Sequence, residues 1–594
     1  MGGGFCGEVK RRNVPRAAIL YIGSVWALAQ GIASLAPVVG APDGVTRWFL
    51  AAAAIGFPFW MVFSWRFEFT AHGIKPDREA SQAPAAERRT ANRRADLAII
   101  GVLAIAVVLL LTDRLLDRPA SPGPARTAAA TGERSIAVLP LANESGDDAQ
   151  RYFSDGLSEG FIIALSRIDG LRVIGRNSSF QFRDSREDSQ AIAARLGVTH
   201  LLEGSVRRLG DTVRIRASLV KADDGSTVWA EQYDRPYRDL FALQDQVTTA
   251  VAKALQAKLR PSVREAGGND RPPGGNVEAY NAYLRGVAAA DLPTALAAFD
   301  QAIALDPAYG LAQAKKARAL VAAASQTSGV EAREAYAAAD AAVAEAMRLA
   351  PDAASTRIAR GWLLMTRDLD WRGAQAEFER AVQAAPDDGD ALYQLGVVRA
   401  SQGDLRQAVA LTRRALERDP LQALWYPWLA SYLMPLGEFD AAGQAIAKAI
   451  ELQPQAVSNH ALLATAKLLR KDAAGAREAA EGEPPGPWRD FALALARQAG
   501  SDRGAADAAL RDFTARYPSG WSFQIAQLHA ARGEPDAMFA ALEQARAARD
   551  PGMQSLLYDA LLLRYRDDPR YATLARTVGL PWPPRGAGAS TVTP

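Results

Sequence analysis

The residues whose types and spacing come nearest to chemistry are Gly156-Leu157-Ser158-Glu159-Gly160, which fit the Gly-x-Ser-x-Gly pattern of a nucleophile elbow, with aspartates and His200 downstream. In such an elbow the serine sits on a sharp strand-to-helix turn that presents its hydroxyl for attack on an acyl carbonyl. Three features argue against that chemistry here. Seventeen positions (158 − 141) separate Ser158 from Leu141, where the preceding apolar strand ends. Ser158 follows Leu157 inside the first turn of an expected helix, where its backbone is relaxed. The intervening acids Asp184 and Asp188 fall in a polar turn rather than at a strand end. The pattern therefore reads as the start of a helix, and a serine hydrolase using Ser158 is kept only as the third reading.

Other chemistry is sparse. His72, His200, His460 and His529 are far apart, with no pair at metal-ligand spacing. The single cysteine, Cys6, excludes an intramolecular disulfide, a cysteine-based zinc site and a Cys-x-x-Cys redox centre, and no apolar run precedes it as a lipoprotein signal requires. No phosphate-cradling glycine loop of either common kind occurs. Asp147, Asp148, Asp155 and Glu159 cluster along the chain, which a solvated loop and helix start explain. With 69 basic and 66 acidic residues the net charge is only +3, so no general nucleic-acid binder is indicated. No catalytic residue, metal or cofactor is assigned, and the chain does not read as an enzyme.

The elements that position the Ser158 helix lie in the block 135–262; at 594 residues the chain is too long for one core, and several domains are expected. Residues 135–141 suit a buried strand. From Ser154, the residues Leu157, Phe161, Ala164, Leu165 and Ile168 share one helical face, with Ser154 or Asp155 as the cap. A strand at 171–174 and a short helix at 190–196, ended by Gly197, follow. Strands near 199–207, 212–220 and 227–233 come next, the middle one alternating strictly with Val213, Ile215, Ala217 and Leu219 inward. A helix at 241–259 closes an α/β sandwich whose second half is an antiparallel meander.

The stretches IAVLPLANESGDDAQRYFSDGLSEGFIIALSRIDGLRVIGRNSSFQFR, LLEGSVRRLGDTVRIRASLVKADDGSTVWAEQYDR and DLFALQDQV resemble the TolB-like N-terminal domain, also grouped with FlgO-type domains. In bacteria such domains often precede tetratricopeptide repeats (TPRs) in proteins labelled adenylate-cyclase-like or regulator-like. Their N-terminal module varies between a cyclase, a winged-helix DNA-binding domain and a membrane segment. KRRNVPRAAILYIGSVWALAQ and FPFWMVFSWRFEFTAHGIK are similar to the membrane module, so the resemblance implies neither cyclase nor DNA-binding activity. An acidic residue commonly stands where this chain has Gly160, which makes the second glycine of the serine pattern look accidental.

Ahead of this block, residues 1–118 carry three apolar runs, at 17–39, 48–65 and 97–112, read as transmembrane helices. Lys10, Arg11, Arg12 and Arg16 precede the first, and the loop after the second holds Arg66, Lys75, Arg78, Arg88, Arg89, Arg93 and Arg94. The positive-inside rule then places the N-terminus in the cytoplasm and everything after about residue 112 outside, which at a bacterial inner membrane is the periplasm. Residues 119–134 form a Pro- and Ala-rich tether.

After a second linker at 263–275, residues 276–584 repeat. Helix pairs end at Pro351, Pro386, Pro420 and Pro454, spaced by 35, 34 and 34 residues, the tetratricopeptide period. An earlier unit ends at Pro307, and its gap of 44 to Pro351 implies an insertion at 325–333. Small residues recur in phase, as at Ala374 and Ala381, Ala408 and Ala415, Ala442 and Ala449. Seven to eight pairs are expected, with a cap from DPRYATLARTVGLP and a disordered tail at 585–594. Solenoids of this kind bind peptide segments along the concave face formed by first helices. The period places Trp362, Met365, Tyr393, Val397, Ser431 and Met434 there as a candidate peptide groove.

The expected architecture is thus multidomain: an N-terminal α-helical membrane segment, a central α/β (TolB-like) domain and a C-terminal all-α TPR solenoid. The expected partners are envelope proteins and the lipid bilayer, not nucleic acid. A membrane-anchored, non-enzymatic scaffold or sensor is the first reading, and a subunit signalling periplasmic binding to a cytoplasmic partner the second.

Overall fold

The computed structural model describes residues 134–147, 150–168, 170–255, 270–289, 291–326, 329–500 and 502–584, with 67–70, 73–76 and the isolated positions 25, 53 and 57. The three apolar runs, the tether up to residue 133 and the tail at 585–594 lie outside the described residues. Among the described residues no helix is long and apolar enough to cross a membrane. The chain divides into two compact units, Met1–Thr131 and Gly132–Pro594. In the first, strands β1 (Phe67–Thr70) and β2 (Gly73–Pro76) form an antiparallel hairpin with Phe67 opposite Pro76.

The second unit opens with a mixed sheet ordered β5-β3-β6-β7-β8, built from β3 (Arg134–Val138), β5 (Leu171–Val173), β6 (His200–Leu209), β7 (Thr212–Lys221) and β8 (Thr227–Pro236), with β4 (Ala142–Asn143) pairing β6. Strand β3 lies inside the sheet next to the edge strand β5, parallel to both neighbours and buried on both faces, as parallel strands require. Its Ile136 and Val138 enter one core and its Ala137 another. Helices α1 (Arg151–Leu165) and α4 (Leu240–Ala254) cover the first face; α2 (Arg176–Ser179) and α3 (Ser189–Leu196) lie on the second. Strands β6, β7 and β8 form the antiparallel meander, and Val213, Ile215, Ala217 and Leu219 of β7 are all buried. Asp188 caps α3 through the Ala191 amide, and Gly197 ends it with φ +63°.

Two local readings need correction. Helix α1 starts at Arg151, not Ser154, so Ser154 and Asp155 are helical residues, and the Ser154 hydroxyl donates to the Arg151 carbonyl. Asp155 and Glu159 are not a solvated acidic face, since they pair with Arg183 (2.5 Å) and Arg176 (3.2 Å).

The remainder is helical. The pairs are α5 (Val277–Ala288) with α6 (Leu292–Leu305), α7 (Gly310–Gln326) with α8 (Gly329–Leu349), α9 (Ala354–Thr366) with α10 (Trp371–Ala384), and α11 (Gly389–Ser401) with α12 (Leu405–Arg418). Then come α13 (Trp425–Leu433) with α14 (Phe439–Leu452), α15 (Asn459–Leu469) with α16 (Ala473–Gly482), α17 (Pro487–Gln498) with α18 (Arg503–Arg516), and α19 (Ser522–Arg532) with α20 (Pro535–Ala547). Helix α21 (Pro569–Thr577) lies in the C-terminal segment. The 34-residue period has a packing cause: Ala374, Ala408, Ala442 and Ala476 are fully buried, as are Ala381, Ala415 and Ala449. A side chain at Gly361 would come within 2.5 Å of the Phe378 ring, and one at Gly286 equally close to Phe299, so the two helices of a pair meet only over a bare backbone. The ten extra residues before Pro351 lengthen α7 and α8 to 17 and 21 residues instead of forming a separate insertion.

Residues 270–272, expected in a linker, are packed instead. Asp270 is 7% exposed; the Tyr280 hydroxyl donates to its carboxylate at 2.7 Å, and the Tyr309 hydroxyl donates to its carbonyl. Burial lifts the Asp270 carboxyl to about 6, against an ordinary 3.8. A raised folded-state pKa stabilises fully below about pH 4 and loses that contribution as pH rises through 6, a difference of about 3 kcal/mol at most. Asp270→Asn keeps an acceptor for Tyr280 and removes the charge. Urea unfolding from pH 4 to 7.5 should show the variant more stable by about 1–3 kcal/mol at pH 7.5 and flatter across pH 4–6.5. An unchanged pH profile would refute the assignment.

A second junction joins the sheet domain to the middle of the array. The α12–α13 loop reaches the N-terminus of α2, where the buried Asp419 carboxylate accepts from the Ser178 amide at 2.6 Å and from the Ser178 hydroxyl. The Leu421 amide donates to Ser178 Oγ at 2.8 Å, the Gly175 amide to the Arg418 carbonyl at 2.6 Å, and the Leu421 side chain enters the core of α3. Asp419→Ala leaves two buried donors without their acceptor and is expected to cost about 2–4 kcal/mol in denaturant unfolding. A loss below about 0.5 kcal/mol would mean that the junction contributes little to stability.

Candidate functional site

Ser158 is fully buried inside α1. Its hydroxyl donates to the Ser154 carbonyl at 2.8 Å and accepts the Leu141 amide at 2.9 Å, so both its hydrogen-bonding roles are used in holding the helix against the strand end. The flanking glycines serve packing. A side chain at Gly156 would lie 2.0 Å from Leu284 of α5, and one at Gly160 would lie 2.6 Å from the Gln244 amide of α4. The second glycine thus lies close to the ends of Gln244 and Tyr280. His200 bonds with the neighbouring Thr199 hydroxyl at 3.0 Å, and burial lowers its pKa. Ser158→Ala strands the Leu141 amide and should lower stability by about 1–2 kcal/mol in thermal or denaturant unfolding. Unchanged stability would show that this hydroxyl does not hold the helix to the strand.

The groove residues come from α9, α11 and α13, the first helices of three successive pairs. Helix α9 places Trp362 under the Arg318 guanidinium, 5.3 Å from the ring centroid, and Arg318 pairs with Asp390 at 2.6 Å. On α11, Tyr393 stacks on Trp425 with centroids 5.1 Å apart and planes at 16°, and burial raises its hydroxyl pKa. Val397 and Met434 are buried, Met434 within the core of the middle repeats. The Ser431 hydroxyl turns back to the Pro427 carbonyl of its own helix at 2.9 Å. Met365 is half-buried between the core of the middle repeats and that of the C-terminal ones.

Sequence reasoning missed what lies against these helices. The segment 551–584 turns back from α20 towards the middle repeats. Its Tyr558 is buried edge-on against Tyr432 (5.3 Å, 89°) and Trp428 (6.4 Å, 67°) of α13. Farther along, Gly579 to Trp582 face Trp371 and Gln402 across a cleft of about 310 Å³ with Arg372 and Arg576 at its margins. Pro584 sits against Gly403, in the turn between α11 and α12. The visible signal was the leucine-rich run SLLYDALLLRY at 555–565, which falls outside the 34-residue phase.

The tetratricopeptide repeat family is matched at residues 367–431 and again at 426–455, and the chain carries such repeats. A relative from Rhizobium meliloti (strain 1021) named "Putative adenylate cyclase 3" is 44% identical over 154 residues, 25% of this chain and 25% of that protein. The chain thus spans about a quarter of the length of that relative. Solved structures similar in part include YrrB, a TPR protein with an unusual peptide-binding site (24% identity, TM-score 0.22, covering 29% of this chain and 84% of that one). Others are PilW, a type IV pilus biogenesis factor (23%, TM-score 0.29, 35% and 90%), and PilF of Pseudomonas aeruginosa (16%, TM-score 0.29, 36% and 98%). Repeats of this family make the C-terminal half a surface for protein partners.

Proposed function

We propose that the chain is a membrane-anchored, non-catalytic scaffold or sensor that binds envelope proteins through its TPR solenoid and its TolB-like α/β domain. The observation that carries this reading is the series of tetratricopeptide repeats, whose first helices α9, α11 and α13 adjoin one another. The apolar runs at 17–39, 48–65 and 97–112 and their charge bias support an anchor at the bacterial inner membrane, with the rest in the periplasm. The buried, fully bonded state of Ser158 favours a binding role over hydrolysis. The name of the Rhizobium relative suggests a cyclase-linked lineage, in which a sensing role suits the repeats and the α/β domain.

A second reading, a regulatory subunit, is favoured by one specific observation. The Asp419–Ser178 junction joins the array to the α/β domain, so a change in one would be felt by the other.

Crosslinking in cells with identification of partners tests the scaffold. Trp362→Ala with Tyr393→Ala should reduce capture by about tenfold or more if the face is used. Undiminished capture would sink the groove. A reporter fused at Thr131 should be active only outside the cytoplasm, and cytoplasmic activity would overturn the topology.

A further inference from the structure

The C-terminal segment is held in two different ways at its two ends of contact. Towards the neighbouring repeats it is hydrogen-bonded: Gln527 donates to the Asp559 carboxylate at 2.6 Å, the Tyr565 hydroxyl to the Ala530 carbonyl at 2.8 Å, and Arg570 pairs with Asp536 at 2.7 Å. Tyr571 is fully buried against Phe539 of α20. Towards the middle repeats, 354–434, no hydrogen bond or ion pair joins the segment among the described residues. Contact there is apolar, through Tyr558 on α13 and the Gly579–Trp582 stretch near Trp371. That seam also gathers unpartnered polar atoms. The hydroxyls of Tyr558 and Tyr432 are buried without a partner, as are Trp371 Nε1 and Gln402 Oε1. None of the four makes a hydrogen bond with the segment or with the repeats among the described residues, although buried polar atoms ordinarily find a partner.

We propose that residues 551–584 are a built-in occupant of the recognition face, a strap that blocks the groove until a partner segment displaces it; this rests on the scaffold reading. The partner is of the strap's own chemistry: a leucine-rich peptide whose aromatic side chain takes the Tyr558 seat between Trp428 and Tyr432. Unlike the strap, its backbone amides and carbonyls would be free to meet Tyr432 Oη and the idle groups beside it. The strap's form suits exchange. Between α20 and α21 it contains only two short 3-10 turns, Pro551–Ser555 and Leu562–Tyr565, so lifting Tyr558 from its seat unwinds no long helix there, while Leu556, Leu557, Leu561 and Leu562 beside it stay buried in the core of the C-terminal repeats.

The test uses the full-length chain and a fluorescent peptide of residues 553–566, MQSLLYDALLLRYR, added in trans. Tyr558→Ala weakens the resident strap and should bind the peptide about tenfold more tightly than the wild type. Tyr558→Phe keeps the ring and removes an idle hydroxyl, so it should seat the strap better and bind the peptide less. Adding Trp428→Ala to Tyr558→Ala removes a wall of the seat and should abolish the gain. Equal affinity in wild type, Tyr558→Ala and Tyr558→Phe would overturn the strap. Should Tyr558→Ala fail to fold, hydrogen exchange on the wild type decides: opening of 551–566 before α9–α13 supports the proposal, and opening of both in one step overturns it. Peptide affinities that do not differ while cellular partners are still captured would remove the strap and leave the scaffold standing. The reverse outcome would remove the scaffold alone.

Discussion

The interaction on which the rest of the second unit depends is the burial of one face of α5 between the α/β domain and the repeats. Tyr280 meets Phe241 of α4 at 5.3 Å, Tyr283 packs on Phe299 and Tyr309, and Leu284 enters the space left by Gly156 on α1. All three are almost wholly removed from water, each side chain contributing about 2 kcal/mol by area. The consequence is that the first repeat helix also completes the core of the sheet domain, and the two share one apolar cluster. What makes this possible is a residue that is absent, the side chain at position 156. The same glycine that suggested a nucleophile elbow is there to admit a leucine.

A solenoid otherwise has only nearest-neighbour contacts, so its ends do not communicate through packing. This one departs from that rule twice. The α12–α13 loop reaches the sheet domain through Asp419 and Leu421, and the C-terminal segment reaches α11 and α13 through Tyr558 and Pro584. Both departures use residues at or next to the period's own landmarks. Asp419 precedes the helix-ending Pro420, and Gly403 is the turn glycine between the two helices of a pair. Long-range contacts have been added at loops that the repeat leaves exposed and conformationally fixed.

This explains what could be read from the sequence and what could not. The alternation of β7, the cap and stop of α3 and the 34-residue phase are local patterns, each the imprint of a single element burying one face. They survive into the structure, and so does the interruption at 481–487, where α16 stops after ten residues and Pro487 starts α17. The junctions are not local. Ser178 and Asp419 are 241 positions apart, and neither residue carries a sign of the other, since a buried Asp at a repeat boundary looks like the helix-capping Asp370 or Asp472. The burial of two groove candidates escaped the sequence for the same reason. The period correctly put Trp362 and Tyr393 on first helices, but it could not tell an open wall from a buried position such as Val397 or Met434. The start of α1 was misplaced because Ser154 has a capping residue's chemistry, yet its hydroxyl bonds back to the Arg151 carbonyl within the helix.

The two long-range contacts converge on one helix, and that has a mechanical meaning. Helix α13 carries Trp428 and Tyr432, the seat of Tyr558, while the loop leading into it carries Asp419 and Leu421, the grip on the α/β domain. Trp425, at the start of the same helix, stacks on Tyr393 of the preceding repeat. A ligand acts at a distance only by its differential contacts with two arrangements of an element that both sites touch. In this chain the two meet at α13 and the loop leading into it: Tyr558 packs on the helix at Tyr432, and the sheet domain holds the loop at Asp419 and Leu421. An exchange of Tyr558 for another aromatic group would therefore bear on the helix whose leading loop the α2 amides hold. Helix α13, with the loop leading into it, is thus the place where binding on the repeats and the state of the α/β domain can be one event.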